Sequence, residues 1–255
     1  MRFTGYSNVR SVGDEAFRGC YKLSRINLPE GVESLGEQCF YGCRNLRRID
    51  LPSPLRTIGK EAFCDVPLTS IKLPYNLTFI GSKAFKGTNI TILYLPASVE
   101  VENDNFGSMP KLREFQVERG NRYYTVEDGV LYDIEGTTLI YYPNAKTGAF
   151  SVPSGVTTLH DDAFAGNSSL NSVTFPNSLQ TIGKNAFANC SSLRNVEIPE
   201  NVTAIGASAF SGCSHMTTAT VDASIKVLPD NAFKDCGSLQ SVALPSSLEK
   251  IGESA

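Results

Sequence analysis

Apolar and polar positions along this chain recur with a period of 21–23 residues, superimposed on short stretches of strand-like alternation. A phenylalanine returns at Phe17, Phe40, Phe63, Phe85, Phe106, Phe164, Phe187, Phe210 and Phe233, at spacings of 23, 23, 22, 21, 58, 23, 23 and 23. A second column keeps the same phase: Leu28-Pro29, Leu51-Pro52, Leu73-Pro74, Leu95-Pro96, Val152-Pro153, Phe175-Pro176, Ile198-Pro199 and Leu244-Pro245. Val117 and Val221 hold that place without the proline. The two columns together describe about ten coils of a repeat array.

The stretch from Leu23 to Phe40 gives the expected anatomy of a coil. Leu23, Ile26 and Leu28 have the spacing of a short strand with its apolar side inward, and Pro29 removes a ladder donor and ends it. Val32 and Leu35 return to the interior, and Gly36 permits a sharp turn. Cys39, Phe40 and Cys43 fit the inner face of a single helical turn. One such coil buries too little to offset the ordering of its own backbone, so stability must come from stacking neighbours. The predicted fold is an α/β repeat: a right-handed solenoid with one strand per coil and short helical turns opposite. Phe3 and Gly5 occupy strand positions of a partial first coil, and the last coil stops at Ala255, just before its phenylalanine. With no polar capping coil at either end, the chain is expected to be a segment of a longer protein.

The period fails once. Between Val117 and Val152 the coil takes 35 residues and lacks its phenylalanine. Two runs rich in Tyr, Val and Ile, from Tyr123 to Tyr132 and from Thr138 to Pro143, flank Asp133-Ile134-Glu135-Gly136 and predict a β-hairpin. The expected organisation is therefore a repeat block over 1–117, an irregular coil with the hairpin over 118–149, and a second block over 150–255, all in one continuous solenoid.

Composition narrows the chemistry. Lys plus Arg number 23 and Asp plus Glu 26, for a net charge of −3, which argues against a nucleic-acid groove. At 41% hydrophobic and 19% charged residues the chain is too apolar for disorder. No apolar run reaches the roughly 18–20 residues that cross a bilayer, so direct membrane insertion is not expected. The first ten residues lack the charged-then-apolar pattern of a secretion signal. Neither His160 nor His215 lies in a recognisable catalytic motif, and His160-Asp161-Asp162 reads as surface turn residues with His160 in the place of the repeat glycine. Five of the seven cysteines (Cys20, Cys43, Cys190, Cys213 and Cys236) sit three residues after the phenylalanine, where other coils carry Val66, Thr88, Met109 or Asn167; that is a packing slot. A zinc site from Cys20, Cys39, Cys43 and Cys64 has only Cys39 and Cys43 at a suitable spacing, so neither metal nor cofactor is expected.

The strings Ile26-Asn27-Leu28-Pro29, Leu35-Gly36 and Ala16-Phe17-x-x-Cys20, with their copies, resemble the BspA-type leucine-rich repeat family. That resemblance implies a secreted or surface-displayed protein that adheres to host proteins or other cells without being an enzyme. Its partner would be a protein, in particular a host extracellular-matrix or surface protein, with a glycan as a second class. The other reading is an architectural spacer holding another domain away from the cell. The family's chains carry a similar Asp-Gly-Val-Leu-Tyr stretch, so the hairpin reads as a structural spacer. The second reading of its tyrosines is a contact surface.

Outward positions of the strands supply the candidate contacts: Arg25, Arg48, Asp50, Lys72, Ile92, Tyr94 and Glu114, joined from the irregular coil by Tyr123, Tyr124, Tyr132 and Tyr141. Arg44, Arg47, Arg48 and Arg56 form the densest basic cluster. Residues 1–117 carry 15 basic and 12 acidic groups, and 118–255 carry 8 and 14. Outward positions after Ala149 are mostly small and hydroxylated.

Overall fold

The computed structural model describes residues 8–255. The expectations for Phe3 and Gly5 lie outside them. The chain divides into two compact units, one ending at Gly129 and the other spanning Val130–Ala255. Each is a β-solenoid, with about ten turns between them.

The first unit is built on a parallel ladder of two-residue rungs, Ser11–Val12, Ser34–Leu35, Thr57–Ile58, Phe79–Ile80 and Glu100–Val101, each paired with the next. In every rung the second residue is buried and the first lies nearer the surface. The second unit repeats the ladder with Thr158–Leu159, Thr181–Ile182 and Ala204–Ile205. Coils therefore carry two strand positions, where the sequence predicted one. At the predicted position, Ile92–Leu95 pairs with Glu114–Val117, Gly148–Ser151 with Leu170–Thr174, and Asn195–Ile198 with Thr218–Val221 and then Ser241–Ala243. Residues 23–28, 46–51 and 68–73 form no strand there. Their outward residues (Arg25, Asn27, Arg48, Asp50, Ser70 and Lys72) are poor strand formers, whereas Thr, Val and Ile fill the paired segments.

The expected short helical turns are absent. Among the described residues there is no α-helix, only a 3₁₀ turn over Glu102–Asp104. Around each phenylalanine the amides alternate. Ala16, Arg18 and Cys20 donate to the carbonyls of Gly13, Glu15 and Phe17 within the coil, whereas Glu15, Phe17 and Gly19 donate to Glu37, Cys39 and Tyr41 of the next coil at 2.8 Å. An α-helix would claim all of those donors for itself. The lateral bonds instead hold the chain in stacked turns, with a left-handed residue two before every repeat phenylalanine but Phe106: Glu15, Gln38, Glu61, Lys83, Asp162, Asn185, Ser208 and Asn231, at φ between 51° and 60°.

Gly36 was expected to serve a sharp turn, yet its φ is not positive. Its role is close approach. A Cβ on Gly59 would stand 2.5 Å from the Gly36 carbonyl carbon, and one on Gly81 or Gly206 would stand 2.3 Å from the amide nitrogen of Lys60 or Lys184. The amide of each such glycine donates to the rung below, as from Gly59 to the Leu35 carbonyl at 2.8 Å and from Gly183 to that of Leu159 at 2.9 Å. Pro229 takes the glycine's place and has no N–H, and there the ladder stops: Ala204–Ile205 is its last rung and Val227–Leu228 pairs only with Lys250–Ile251. Asp14, Asp161 and Asp230 each accept the amide of the residue after the next coil's glycine, Glu37, Lys184 and Glu253, at 2.7–2.8 Å.

Registered stacking aligns the phenylalanines. Phe17, Phe40, Phe63 and Phe85 stack at 5.3–5.8 Å between centroids, with planes within 5° of parallel. In the second unit Phe164, Phe187, Phe210 and Phe233 stack at 4.6–5.5 Å. Tyr142 extends that stack, 4.9 Å from Phe164, so a hairpin residue fills the missing phenylalanine position.

The hairpin itself pairs Val130–Asp133 antiparallel with Thr138–Tyr141, and the latter strand pairs with Thr158–Leu159 as one more ladder rung. Asp133 closes the turn, accepting the amides of Thr137 and Thr138 at 2.7 and 2.9 Å and the Thr137 hydroxyl at 2.9 Å. Partial burial opposes its ionisation, but the hydrogen bonds from Thr138 and Thr137 outweigh this and hold the carboxyl below its ordinary value.

Two outcomes follow for stability. Gly59→Ala and Gly206→Ala should each cost about 2–3 kcal/mol, while Gly155→Ala, which meets nothing within 4 Å, should be neutral or slightly stabilising; thermal melts compare them. Asp133→Ala should cost about 1 kcal/mol at neutral pH. A carboxyl held low stabilises the fold above the ordinary aspartate value of about 3.9 and stops doing so as pH falls through its own lower value, so the two melting curves should converge in acid.

Candidate binding surface

The outward face of the strand position in the first unit brings several candidate residues together. On Ile92–Leu95 the exposed and buried residues alternate, placing Leu93 and Leu95 in the core and leaving Ile92 45% and Tyr94 44% exposed. Pairing sets Glu114 beside Ile92 and Gln116 beside Tyr94. One and two coils earlier, Lys72 and Arg48 with Asp50 stand exposed on segments that form no ladder.

Where the ladder is missing, the surface is recessed. A cleft of about 550 Å³ lies among Arg48, Asp50, Lys72, Tyr75, Tyr94 and Glu118, over a floor that includes Ile49, Leu51, Ile71, Leu73, Pro74 and Pro96. That volume falls within the range of specific ligand sites, about 300–1,000 Å³. A second recess of about 370 Å³, lined by Arg25, Asn27, Arg47, Arg48 and Asp50, adjoins it across the Arg48–Asp50 ridge. No backbone–backbone hydrogen bond joins 47–51 to 69–73 among the described residues.

Charge in the cleft is partly committed. Arg48 and Asp50 form an ion pair at 3.1 Å, both more than four-fifths exposed, so the pair is worth well under about 1 kcal/mol and opens readily. A Glu118 carboxylate oxygen accepts the Ala97 amide at 2.9 Å. Lys72 and Arg47 make no ion pair among the described residues. Elsewhere in the basic cluster, Arg44 lies 5.6 Å from the Tyr21 ring centroid.

Tyr75, 72% exposed and the most exposed large hydrophobic of the chain's described residues, was missed in the sequence. Its signal was present: it follows a column proline, where the other coils carry Glu30, Ser53, Ala97, Ser154, Asn177, Glu200 and Ser246.

Of the four tyrosines singled out in the irregular coil, only Tyr123 is exposed, at 38%. Tyr124, Tyr132 and Tyr141 are 2–4% exposed and pack inside. The Tyr124 hydroxyl oxygen accepts the Val101 amide at 3.0 Å, and the Tyr141 hydroxyl donates to Asn144, which itself donates to the Ala165 carbonyl. A strand woven into the ladder turns both faces towards neighbouring chain, and these rings serve the hairpin's own packing.

On the second unit the outward strand positions are Ser172, Thr174, Asn195, Glu197, Thr218 and Thr220, with a recess of about 390 Å³ between Leu170–Thr174 and Asn195–Ile198, which do not pair with each other. No exposed aromatic borders it.

The thiols occupy the slot anticipated for them. Cys43, Cys190, Cys213 and Cys236 are buried and donate Sγ–H to the carbonyls of Phe17, Phe164, Phe187 and Phe210 at 3.1–3.2 Å. Burial pushes Cys39 and Cys190 up to about 12 and Cys43 and Cys64 up to about 11, so these remain protonated and unreactive at neutral pH. Asp161, beside His160, is engaged with the Lys184 amide. Cys20 alone is exposed. Labelling the folded protein with a thiol reagent at neutral pH should modify Cys20 quickly and the other six only on denaturation; a second fast thiol would contradict this slot geometry.

Comparison with known proteins bears on what such a face is for. Residues 2–115 and 139–255 match the model of the BspA type leucine-rich repeat region in six copies. A leucine-rich repeat protein from Eubacterium ventriosum superposes with a TM-score of 0.85 at 25% identity, over 97% of this chain and 80% of that one. The pneumococcal vaccine antigen PcpA gives 0.75 at 25% identity, over 98% and 67%. A leucine-rich repeat protein from Bacteroides ovatus gives 0.59 at 26% identity, over 97% and 67%. No curated sequence matches significantly.

Proposed function

Since the chain belongs to the BspA-type leucine-rich repeat family, we propose that it is a non-enzymatic protein-interaction module of a surface-displayed or secreted protein. It binds a partner protein, such as a host matrix or surface protein, through the outward strand face of its first unit. The observation that carries this reading is the cleft in which Arg48, Asp50, Lys72 and Tyr94 converge with Tyr75. Exposed tyrosines ringed by charged side chains are the composition of interface hot spots. Affinity comes from several shallow contacts on a rigid scaffold, which loses little entropy on binding. A vaccine antigen among the similar solved structures supports the surface or secreted location.

The test is a binding screen of the purified chain against immobilised extracellular-matrix and cell-surface proteins. At least one should bind. The Ile92→Ala/Tyr94→Ala variant should bind it roughly tenfold more weakly with an unchanged melting temperature, since both side chains are exposed. Equal affinity in the double variant removes this patch from the interface. A screen without any binder leaves the architectural spacer as the better account.

A further inference from the structure

The cleft is selective in what it leaves unmatched. Among the described residues its acidic groups have partners, Asp50 in Arg48 and Glu118 in the Ala97 amide, whereas Lys72 within it and Arg47 on the adjoining recess form no ion pair. A partner bringing carboxylates gains two cations that are in no ion pair; a partner bringing ammonium groups must first draw Asp50 from Arg48 or share Glu118 with the Ala97 amide. Two further features specify the rest of the partner. Tyr75 and Tyr94 stand at the rim above Pro74, Pro96 and Leu73, an apolar bed for side chains. The main chain along 47–51 and 69–73 is unpaired with its neighbour, and a polypeptide can bond to it through its own amides and carbonyls.

We infer that this cleft takes an extended acidic peptide segment of a partner protein, with apolar side chains seated against Tyr75 and Tyr94 and carboxylates directed to Lys72 and Arg47. The inference rests on the protein-binding reading above and names the chemistry of the segment bound. The two cations alone would suit a sulfated glycan equally well. Unpaired main chain beside an apolar bed favours a peptide, because alternate residues of an extended strand point to opposite sides while its backbone bonds laterally.

The experiment is a selection of displayed random peptides, each of about a dozen residues, on the purified chain, with heparin oligosaccharide titrated in parallel. The enriched pool should be acidic and carry aromatic or aliphatic residues. Its affinity should fall roughly tenfold in Tyr75→Ala/Tyr94→Ala and in Lys72→Glu, weaken with added salt, and stay unchanged in Thr218→Ala on the second unit. Both rim tyrosines and Lys72 are exposed, so melting temperatures should hold in all variants. A neutral or basic pool, no enrichment, indifference to the cleft variants, or binding of heparin alone overturns the inference. The immobilised-protein screen is repeated with the same variants to separate the two claims. A captured protein that binds Tyr75→Ala/Tyr94→Ala and Lys72→Glu as tightly as the parent chain defeats the cleft while the protein-binding reading stands. Capture of nothing defeats that reading itself.

Discussion

Backbone meets backbone at one edge of each coil that carries the repeat glycine, and the absence of a side chain there sets the geometry of the rest. Gly59 lies against Gly36, Gly81 against Lys60 and Gly206 against Lys184, closer than any Cβ allows. Once that contact fixes the rise from coil to coil, the rungs beside it pair in register. Alternate amides of the turn find carbonyls on the next coil, and the phenylalanines come to stacking distance. None of these interactions is large alone; each is repeated because the first one is.

The opposite side of the coil is under no such constraint. There the spacing is decided by whichever residues point outward, and in the first unit Arg25, Arg48, Asp50 and Lys72 leave it unpaired while Ile92–Leu95 and Glu114–Val117 close it. The fold thus separates two tasks along one coil. Buried columns and the glycine edge maintain the stack, and the outward strand positions can change identity without disturbing it. The recesses at 47–51 and 69–73 and between Leu170–Thr174 and Asn195–Ile198 follow from this division, since each coincides with an interruption of pairing.

The repeat phase, the inward residues and the hairpin turn at Asp133–Gly136 were legible because each is a local pattern: a period, an alternation, a turn-forming tetrad. The helical turn was misread for a physical reason. Cys39, Phe40 and Cys43 have the spacing of one helical face, but a stacked turn buries the same residues, and the choice between them lies with amides that bond 22 residues away. The columns marked Gly36 as special without saying why, since a glycine demanded by a neighbouring coil looks the same as one demanded by its own φ. Composition made the tyrosines of the irregular coil conspicuous. Burial of Tyr124, Tyr132 and Tyr141 depends on a strand being taken up into the ladder, which no local pattern records. Tyr75 was readable by comparing the coils position by position.

Pro229 interrupts the rule that organises its own unit. Lacking an amide hydrogen where Gly183, Gly206 and Gly252 each donate one, it leaves Val227–Leu228 and Lys250–Ile251 as a separate pair while the turns on the far side remain bonded, as from Phe210 to the Ala232 carbonyl at 2.9 Å. Such a seam is a natural limit of cooperativity. The amides of Glu249, Lys250 and Gly252, which donate to Lys226 and Leu228, can exchange through opening of that pair alone, whereas those in the Thr158–Leu159 to Ala204–Ile205 ladder must wait for a larger segment to unfold. One imino acid in place of one glycine divides the ladder at this edge of the coil, while Thr218–Val221 still joins Asn195–Ile198 to Ser241–Ala243 at the other strand position.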